Sequence, residues 1–185
     1  MDPSDLLAKY FGCGSTAWFV VSEHSRLVAD KALAVARSLG PCGLDLRFIE
    51  EAALLHDIGV CRTNAPGIGC AGDAPYILHG IIGREILEAE GLPRHALVCE
   101  RHIGVGLTKE DILRQQLPLP LRDMVPLTRE EEIICFADLF FSKKTGKLHR
   151  EKTVERVKEG LRLHGEHKVA IFDRWCAEFG VRSVL

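Results

Sequence analysis

The sequence predicts an all-α fold, a bundle of about seven or eight helices, and three observations support this. Apolar residues recur at spacings of three and four through most of the 185-residue chain. No segment alternates apolar and polar residues as a half-buried strand does. Gly and Pro stand where the periodic segments end. The length suits a single domain spanning residues 1–185.

The first two predicted helices flank a short turn. Residues 22–39 carry apolar side chains on one face, and Gly40 ends the pattern. Asp45 is expected to cap a second helix over 46–58, with Gly59 as its C-terminal cap.

Residues 60–75 are rich in Gly and Pro and keep no apolar period. They predict a structureless loop, long enough to serve as a lid over a site. Residues 117–127 hold three prolines and predict an extended connector.

Five further helices follow from the same periodicity. Pro93 fits the first turn of one, and Thr128 with Glu131 forms a predicted capping box for another. A metal-binding core is expected at about 22–141, with a C-terminal helical appendage at about 150–180. The predicted segments are 77–90, 94–103, 128–141, 150–163 and 166–179.

Composition argues against several classes of partner and location. With 24 Lys and Arg against 26 Asp and Glu, the net charge is −2, so nucleic acid is not expected as a partner. Seven scattered cysteines without a C-x-x-C pair suggest reduced thiols. The acidic amino terminus resembles no signal peptide, and no apolar run is long enough to span a membrane. We therefore expect a cytoplasmic protein without a membrane partner.

Polar residues at core-facing helix positions mark a candidate site. His56 and Asp57 end an otherwise apolar helix, where burying both groups is costly unless both are satisfied. A metal ion would satisfy both. Histidine and carboxylate ligands suit Fe, Mn, Co, Zn or Mg and leave positions open for a hydrolytic water. Five predicted helices contribute such groups: His24, His56, Asp57, His79, His102 and Asp138.

This ordered set resembles the HD-domain superfamily of metal-dependent phosphohydrolases, and residues 56–59 read as its HDIG variant. Leu78-His79-Gly80 and Phe136-Ala137-Asp138 look like local contexts found in bacterial HD-type hydrolases of symmetrical dinucleoside tetraphosphates. The chain after His102 lacks the G-Y-P signature of the cyclic-di-GMP phosphodiesterases, which disfavours that substrate.

The resemblance implies two divalent metals per chain. His24, His56, Asp57 and Asp138 would bind one, and Asp57 would bridge to a second held by His79 and His102. In this interpretation His56 and Asp57 are catalytic, and a metal-activated hydroxide attacks a phosphate ester or anhydride of a nucleotide or related small molecule.

A phosphate substrate also needs positive charges near the helix ends. Five basic residues are candidates for this role: Arg62, Arg101, Lys109, Lys143 and Lys144.

Two alternatives share the same ligands. One is a diiron HD-type oxygenase, and the other is a non-catalytic metal- or nucleotide-binding regulatory module. At the C-terminus, an apolar stripe of Phe172, Trp175, Cys176 and Phe179 is expected to close the core or to form a homodimer contact.

Overall fold

The computed structural model describes residues 2–144 and 146–181, and it confirms the all-α prediction. Nine α-helices lie in this part of the chain, with one two-stranded sheet of two residues per strand. The helices are α1 (Pro3–Phe11), α2 (Thr16–Ser38), α3 (Leu46–Leu55), α4 (His79–Ala89), α5 (Pro93–Arg101), α6 (Lys109–Gln115), α7 (Arg129–Asp138), α8 (Val154–Arg162) and α9 (Glu166–Glu178).

The count of seven or eight helices was therefore too low, because α1 and α6 lack a long apolar period. Asp2 caps the start of helix α1, where its side chain accepts a hydrogen bond from the Ser4 N–H at 2.8 Å. The buried side chains of Leu6 and Leu7 hold this helix in the core. Helix α6 has seven residues and depends on a capping box between Thr108 and Asp111. Caps and two or three anchoring residues suffice for such short helices.

The central core joins the amino-terminal and carboxy-terminal helices. Phe136 of α7 stacks on Phe172 of α9 with ring centroids 5.5 Å apart, and Trp175 is 1% exposed. The predicted apolar stripe of α9 thus closes the same core that holds α2, α3 and α7. The C-terminal helices are part of the bundle rather than an addition to its surface.

Residues 60–75 are folded, so the prediction of a structureless loop was wrong. A 3₁₀ helix (Ile58–Arg62) leads to the antiparallel strands β1 (Asn64–Ala65) and β2 (Cys70–Ala71), with a 3₁₀ turn (Pro66–Ile68) between them. Val60, Thr63, Ile68 and Cys70 are buried. Hydrogen bonds within the segment satisfy its backbone, which a search for helical periodicity cannot detect.

None of the helices in the described ranges is both long and apolar enough to cross a membrane.

Candidate metal centre

Six polar side chains from five helices meet in the interior. His24 lies on α2, His56 and Asp57 follow α3, His79 begins α4, His102 follows α5, and Asp138 ends α7. The four histidines and Asp57 are at most 5% exposed. Burial of so many ionisable groups requires that they satisfy one another or a ligand.

The first group of four surrounds a common point. His24 Nε2 lies 3.0 Å from Asp138 Oδ1 and 3.3 Å from Asp57 Oδ2. His56 Nε2 lies 2.9 Å from the same Asp57 oxygen and 3.5 Å from Asp138 Oδ1. The four potential ligand atoms lie within 4.8 Å of one another.

The second group shares Asp57 with the first but uses its other oxygen. Asp57 Oδ1 lies 3.6 Å from His79 Nε2 and 3.7 Å from His102 Nε2. The carboxylate therefore presents one oxygen to each histidine group. The six residues expected from the sequence are those that the structure brings together.

Backbone carbonyls orient three of the rings. The Nδ1 atoms of His56, His79 and His102 lie 2.7, 2.7 and 2.8 Å from the carbonyl oxygens of Ala53, Tyr76 and Cys99, each three residues earlier. When Nδ1–H donates to such a carbonyl, Nε2 of the neutral ring presents a lone pair. This is how metal-binding histidines are commonly held in position.

Several polar atoms of the centre need a partner. Asp57 Oδ1 is buried and makes no hydrogen bond within the described residues, and His56 Nε2 has only ion pairs there, with Asp57 Oδ2 and Asp138 Oδ1. The Nε2 atoms of His79 and His102 lie 3.1 Å apart, so their lone pairs repel unless a proton or a cation lies between them. A cluster of imidazoles and carboxylates fits divalent metal ions.

Gly59 allows the histidines of the two groups to come close. A Cβ at Gly59 would lie 2.1 Å from the His79 carbonyl oxygen and 2.3 Å from the Gly83 nitrogen. Helix α3 ends at Leu55 and Gly59 lies in the following 3₁₀ helix, so the prediction that it caps a helix was wrong. Its small size matters because α4 packs directly against this turn.

The HD domain family model matches residues 21–143 of this chain, a range that contains all six residues of the centre. The chain belongs to the HD domain family.

Relatives of this HD domain occur in archaea. An uncharacterised protein of Methanocaldococcus jannaschii is 38% identical over 128 residues, 67% of this chain and 68% of that protein. A protein of Thermoplasma volcanium named tRNA (cytidine(56)-2'-O)-methyltransferase is 34% identical over 169 residues. One of the same name from Picrophilus torridus is 38% identical over 120 residues.

The matches to the two methyltransferases cover 86% and 64% of the HD chain but only 44% and 30% of those proteins. The chain thus spans less than half of either. No solved structure gives a significant match.

The electrostatics of the HD centre differ between its two groups of histidines. Burial lowers the pKa of His79, and burial together with the neighbouring His56 and His79 lowers the pKa of His102 to about 3. Burial alone would also lower the pKa of His56, but the Asp57 and Asp138 carboxylates raise it to about 10. A metal ion that binds His56 must therefore displace a proton.

Lys143 lies inside the centre itself. The sequence analysis suggested it only as a residue that binds the phosphate of a substrate. Its ammonium donates to Asp57 Oδ2 and lies 3.2 Å from His24 Nε2. Burial disfavours the charged form of Lys143, but the Asp57 carboxylate outweighs this effect and raises the pKa of Lys143. In turn, His56 and Lys143 hold the pKa of Asp57 well below its usual range, although burial alone would raise it. The raised pKa favours the charged form of Lys143 beside the ligands.

The other four basic candidates lie in different surroundings. Lys144 is exposed and lines a cavity of about 380 Å³ beside His24 and Asp138. Arg101 donates to both carboxylate oxygens of Glu131, at 3.0 and 3.1 Å, and so links α5 to α7.

Arg62 and Lys109 are exposed, and neither lines this cavity within the described part of the chain. Arg101 is likewise outside its lining.

Glu131 also departs from the predicted capping box. Thr128 accepts a hydrogen bond from its N–H at 3.2 Å, as expected, but the Glu131 carboxylate binds Arg101 and the Leu127 N–H.

Two residues of the centre escaped the sequence analysis. The Tyr76 ring lies 4.8 Å from the His79 ring, centroid to centroid, and Lys152 lines the same cavity while donating to the Leu139 carbonyl at 2.7 Å. The only signal for Tyr76 is its position three residues before His79. Lys152 could have been suspected from the basic run that begins at Lys143.

Proposed function

We propose that this HD domain is a metal-dependent phosphohydrolase that cleaves a phosphate ester or anhydride of a nucleotide or related small molecule. The observation that carries the proposal is the position of Asp57, whose two oxygens face two separate histidine groups. Such a carboxylate can be shared by two metal ions, so we propose two divalent metals per chain.

The residues of the centre would bind two metals in two groups. His24, His56 and Asp138 would hold one metal, His79 and His102 the other, and Asp57 both. When bound, divalent cations lower the pKa of coordinated water and neutralise charge on phosphoryl oxygens. The carbonyls of Ala53, Tyr76 and Cys99 lie within hydrogen-bond distance of Nδ1 of His56, His79 and His102, and would thereby leave Nε2 of each ring free to bind a metal.

Basic side chains would bind the phosphate. Lys143, Lys144 and Lys152 line the cavity that opens beside His24 and Asp138. Ammonium groups next to the centre attract a phosphate dianion and stabilise charge that develops on its oxygens. We propose this cavity as the phosphate-binding site.

The decisive experiment joins metal analysis to turnover. Protein purified without oxygen is analysed for metals, then assayed for phosphate release under Mn, Fe, Co, Mg and Zn. The panel contains nucleotides, dinucleoside polyphosphates and a tRNA with terminal phosphates, because two relatives carry a tRNA-directed name. About two metals per chain with phosphate release is the expected result.

Other outcomes would identify the alternatives. Two irons with redox-active spectra and no phosphate release would replace the proposal with an oxygenase. Tight nucleotide binding without turnover under every metal would replace it with a regulatory module.

A further inference from the structure

A second and larger cavity lies next to the metal centre. Its volume is about 780 Å³, and it is enclosed by the 103–107 turn, helix α6 and helix α8. Its walls are mainly branched aliphatic side chains, including Val105, Leu117 and Leu161. The lining also contains the polar or charged side chains of Gln115, Lys152, Arg156, Glu159, His164 and Lys168. A largely apolar cavity of this size with a set of polar groups is typical of a small-molecule site.

This cavity adjoins the proposed phosphate site. Leu139 and Lys152 line both cavities. Three of its wall residues are close in sequence to residues of the centre: Ile77 precedes His79 by two positions, Ile103 follows His102, and Leu139 follows Asp138. A molecule whose phosphate lies at the centre could extend past Leu139 into the aliphatic cavity.

One amide in the cavity wall needs a partner. Gln115 Oε1 lies 3.2 Å from His164 Nδ1, while its Nε2 is buried without a hydrogen bond among the described residues. Both side chains line the cavity. A hydrocarbon ligand would leave the amide unpaired, which is unfavourable, whereas a flat ring with hydrogen-bond acceptors would pair with it.

We propose that this cavity binds the nucleobase of the substrate, with aliphatic side chains against its faces and Gln115 at its edge. The inference rests on the proposed function, since it supplies the organic half of a nucleotide whose phosphate binds at the metal centre. Every nucleobase carries ring-nitrogen or carbonyl acceptors that can pair with an amide donor, as glutamine does with adenine elsewhere.

Free nucleosides test the cavity without turnover, because they contain no phosphate ester. Adenosine, guanosine, cytidine and uridine are titrated calorimetrically into the full chain, with hexanol as the hydrocarbon probe and inorganic phosphate as the probe of the metal centre. We expect at least one nucleoside to bind more tightly than hexanol. Equal or tighter binding of hexanol would overturn the proposal.

Two substitutions alter the cavity in different ways. Gly160 lies on α8 in its wall, and a Cβ there would meet nothing within 4 Å, so Gly160→Leu adds bulk without a backbone clash. We expect Gly160→Leu to weaken nucleoside binding at least tenfold and the matched control Gly160→Ala to stay within twofold. Unchanged affinity in Gly160→Leu would overturn the proposal.

Gln115→Leu keeps the approximate size of the side chain and removes its amide. We expect it to weaken nucleoside binding about tenfold while phosphate binding stays within twofold. It also carries the test if Gly160→Leu fails to fold. If Gln115→Leu leaves nucleoside affinity intact or tightens hexanol and nucleosides alike, the amide does not read a base.

The two proposals can fail separately. Phosphate release that is identical for nucleotides and simple alkyl phosphates, with no nucleoside binding, would remove the base site and leave the hydrolase. Nucleoside binding that responds to both substitutions, without phosphate release under any metal, would remove the hydrolase and leave the base site.

Discussion

The two neighbouring cavities differ in size and in what borders them. The smaller is lined by His24, Asp138 and three lysines, whereas the larger is lined mainly by aliphatic side chains, with charged side chains at Lys152, Arg156, Glu159 and Lys168. Leu139 and Lys152 form the boundary between them. The contrast separates chemistry from recognition: His24 and Asp138 of the centre border the cavity where a phosphate would react, and the larger cavity lies where the rest of a substrate would bind.

At the metal centre, removal of the Asp57 carboxylate should have the largest effect on metal content and activity. Asp57→Ala deletes the only carboxylate that reaches both histidine groups in the described part of the chain, so both metals should be lost. Phosphate release should fall by more than about a hundredfold, the loss that supporting groups alone can cause. Elemental analysis and the phosphate assay measure both effects.

Asp30→Ala is the matched control, because Asp30 is 63% exposed and, among the described residues, forms an ion pair only with Arg26. It should retain metals and activity. Full metal content in Asp57→Ala would show that the carboxylate is not shared.

Around the larger cavity, substitution of Lys168 should lower the free energy of unfolding the most. This buried lysine on α9 donates to Asp111 and, at 2.7 Å, to the Gly106 carbonyl, and so holds α6 and the 103–107 turn in place. Lys168→Met would remove this hydrogen bond to Asp111, which keeps Arg114 and Thr108 as partners, so we expect a loss of about 1.5–3 kcal/mol in unfolding free energy. Urea unfolding measures it.

Lys158→Met serves as a control, because the Lys158–Asp173 pair is far more exposed, at 30% and 48%, and should contribute less than about 1 kcal/mol. Similar losses in both variants would mean that the buried pair does not hold the larger cavity together.

The Asp111–Lys168 pair also predicts that the stability of the fold depends on pH. Burial raises the pKa of Asp111, but hydrogen bonds from Lys168 and Thr108 outweigh it and hold the pKa below its usual range. The folded pKa is therefore lower than the unfolded value of about 3.9. The stabilisation is present above that value and is lost as the pH falls through the folded pKa.

Urea unfolding of the parent and of Asp111→Asn at pH 7, 5, 4 and 3 isolates this contribution, because the metal ligands titrate in both proteins. The stability difference should be constant from pH 7 to 5 and shrink below pH 4. A difference that grows as the pH falls would contradict the assignment.

Gly59→Ala should have an intermediate effect that is specific to one half of the centre. The added methyl group would meet the His79 carbonyl oxygen, so α4 must shift away. We expect a loss of about 1–3 kcal/mol in stability and of the metal at His79 and His102, leaving about one metal per chain. Gly160→Ala is the control, and unchanged stoichiometry in Gly59→Ala would contradict the packing argument.

The sequence predicted the centre better than its surroundings, for a physical reason. His24 and Asp138 lie on apolar helix faces, where a polar residue is conspicuous in the sequence alone. The contact of Lys143 with Asp57 depends on how the chain continues after α7, which no local pattern encodes. The fold of residues 60–75 likewise depends on tertiary burial of Ile68 and Cys70.

The larger cavity was also beyond sequence analysis. Gln115 lies in a seven-residue helix and His164 follows α8, 49 positions later, so only the packed structure shows that they meet. Sites built from residues on one helix face can thus be predicted, whereas sites at the junction of short elements cannot.

Lys152 should give the smallest effect and tests the boundary itself. Its ammonium lies next to both cavities while bound to the Leu139 carbonyl. Since a charged hydrogen bond contributes about 1.5–3 kcal/mol, Lys152→Met should raise KM for a phosphorylated substrate at least about tenfold. Nucleoside affinity should stay within twofold, because a nucleoside carries no phosphate.

Lys147→Met, at an exposed position, is the control for the change in net charge. Equal losses for nucleosides and phosphorylated substrates would mean that Lys152 supports the apolar cavity instead, and the separation of charge from recognition would then fail at the boundary between the two cavities.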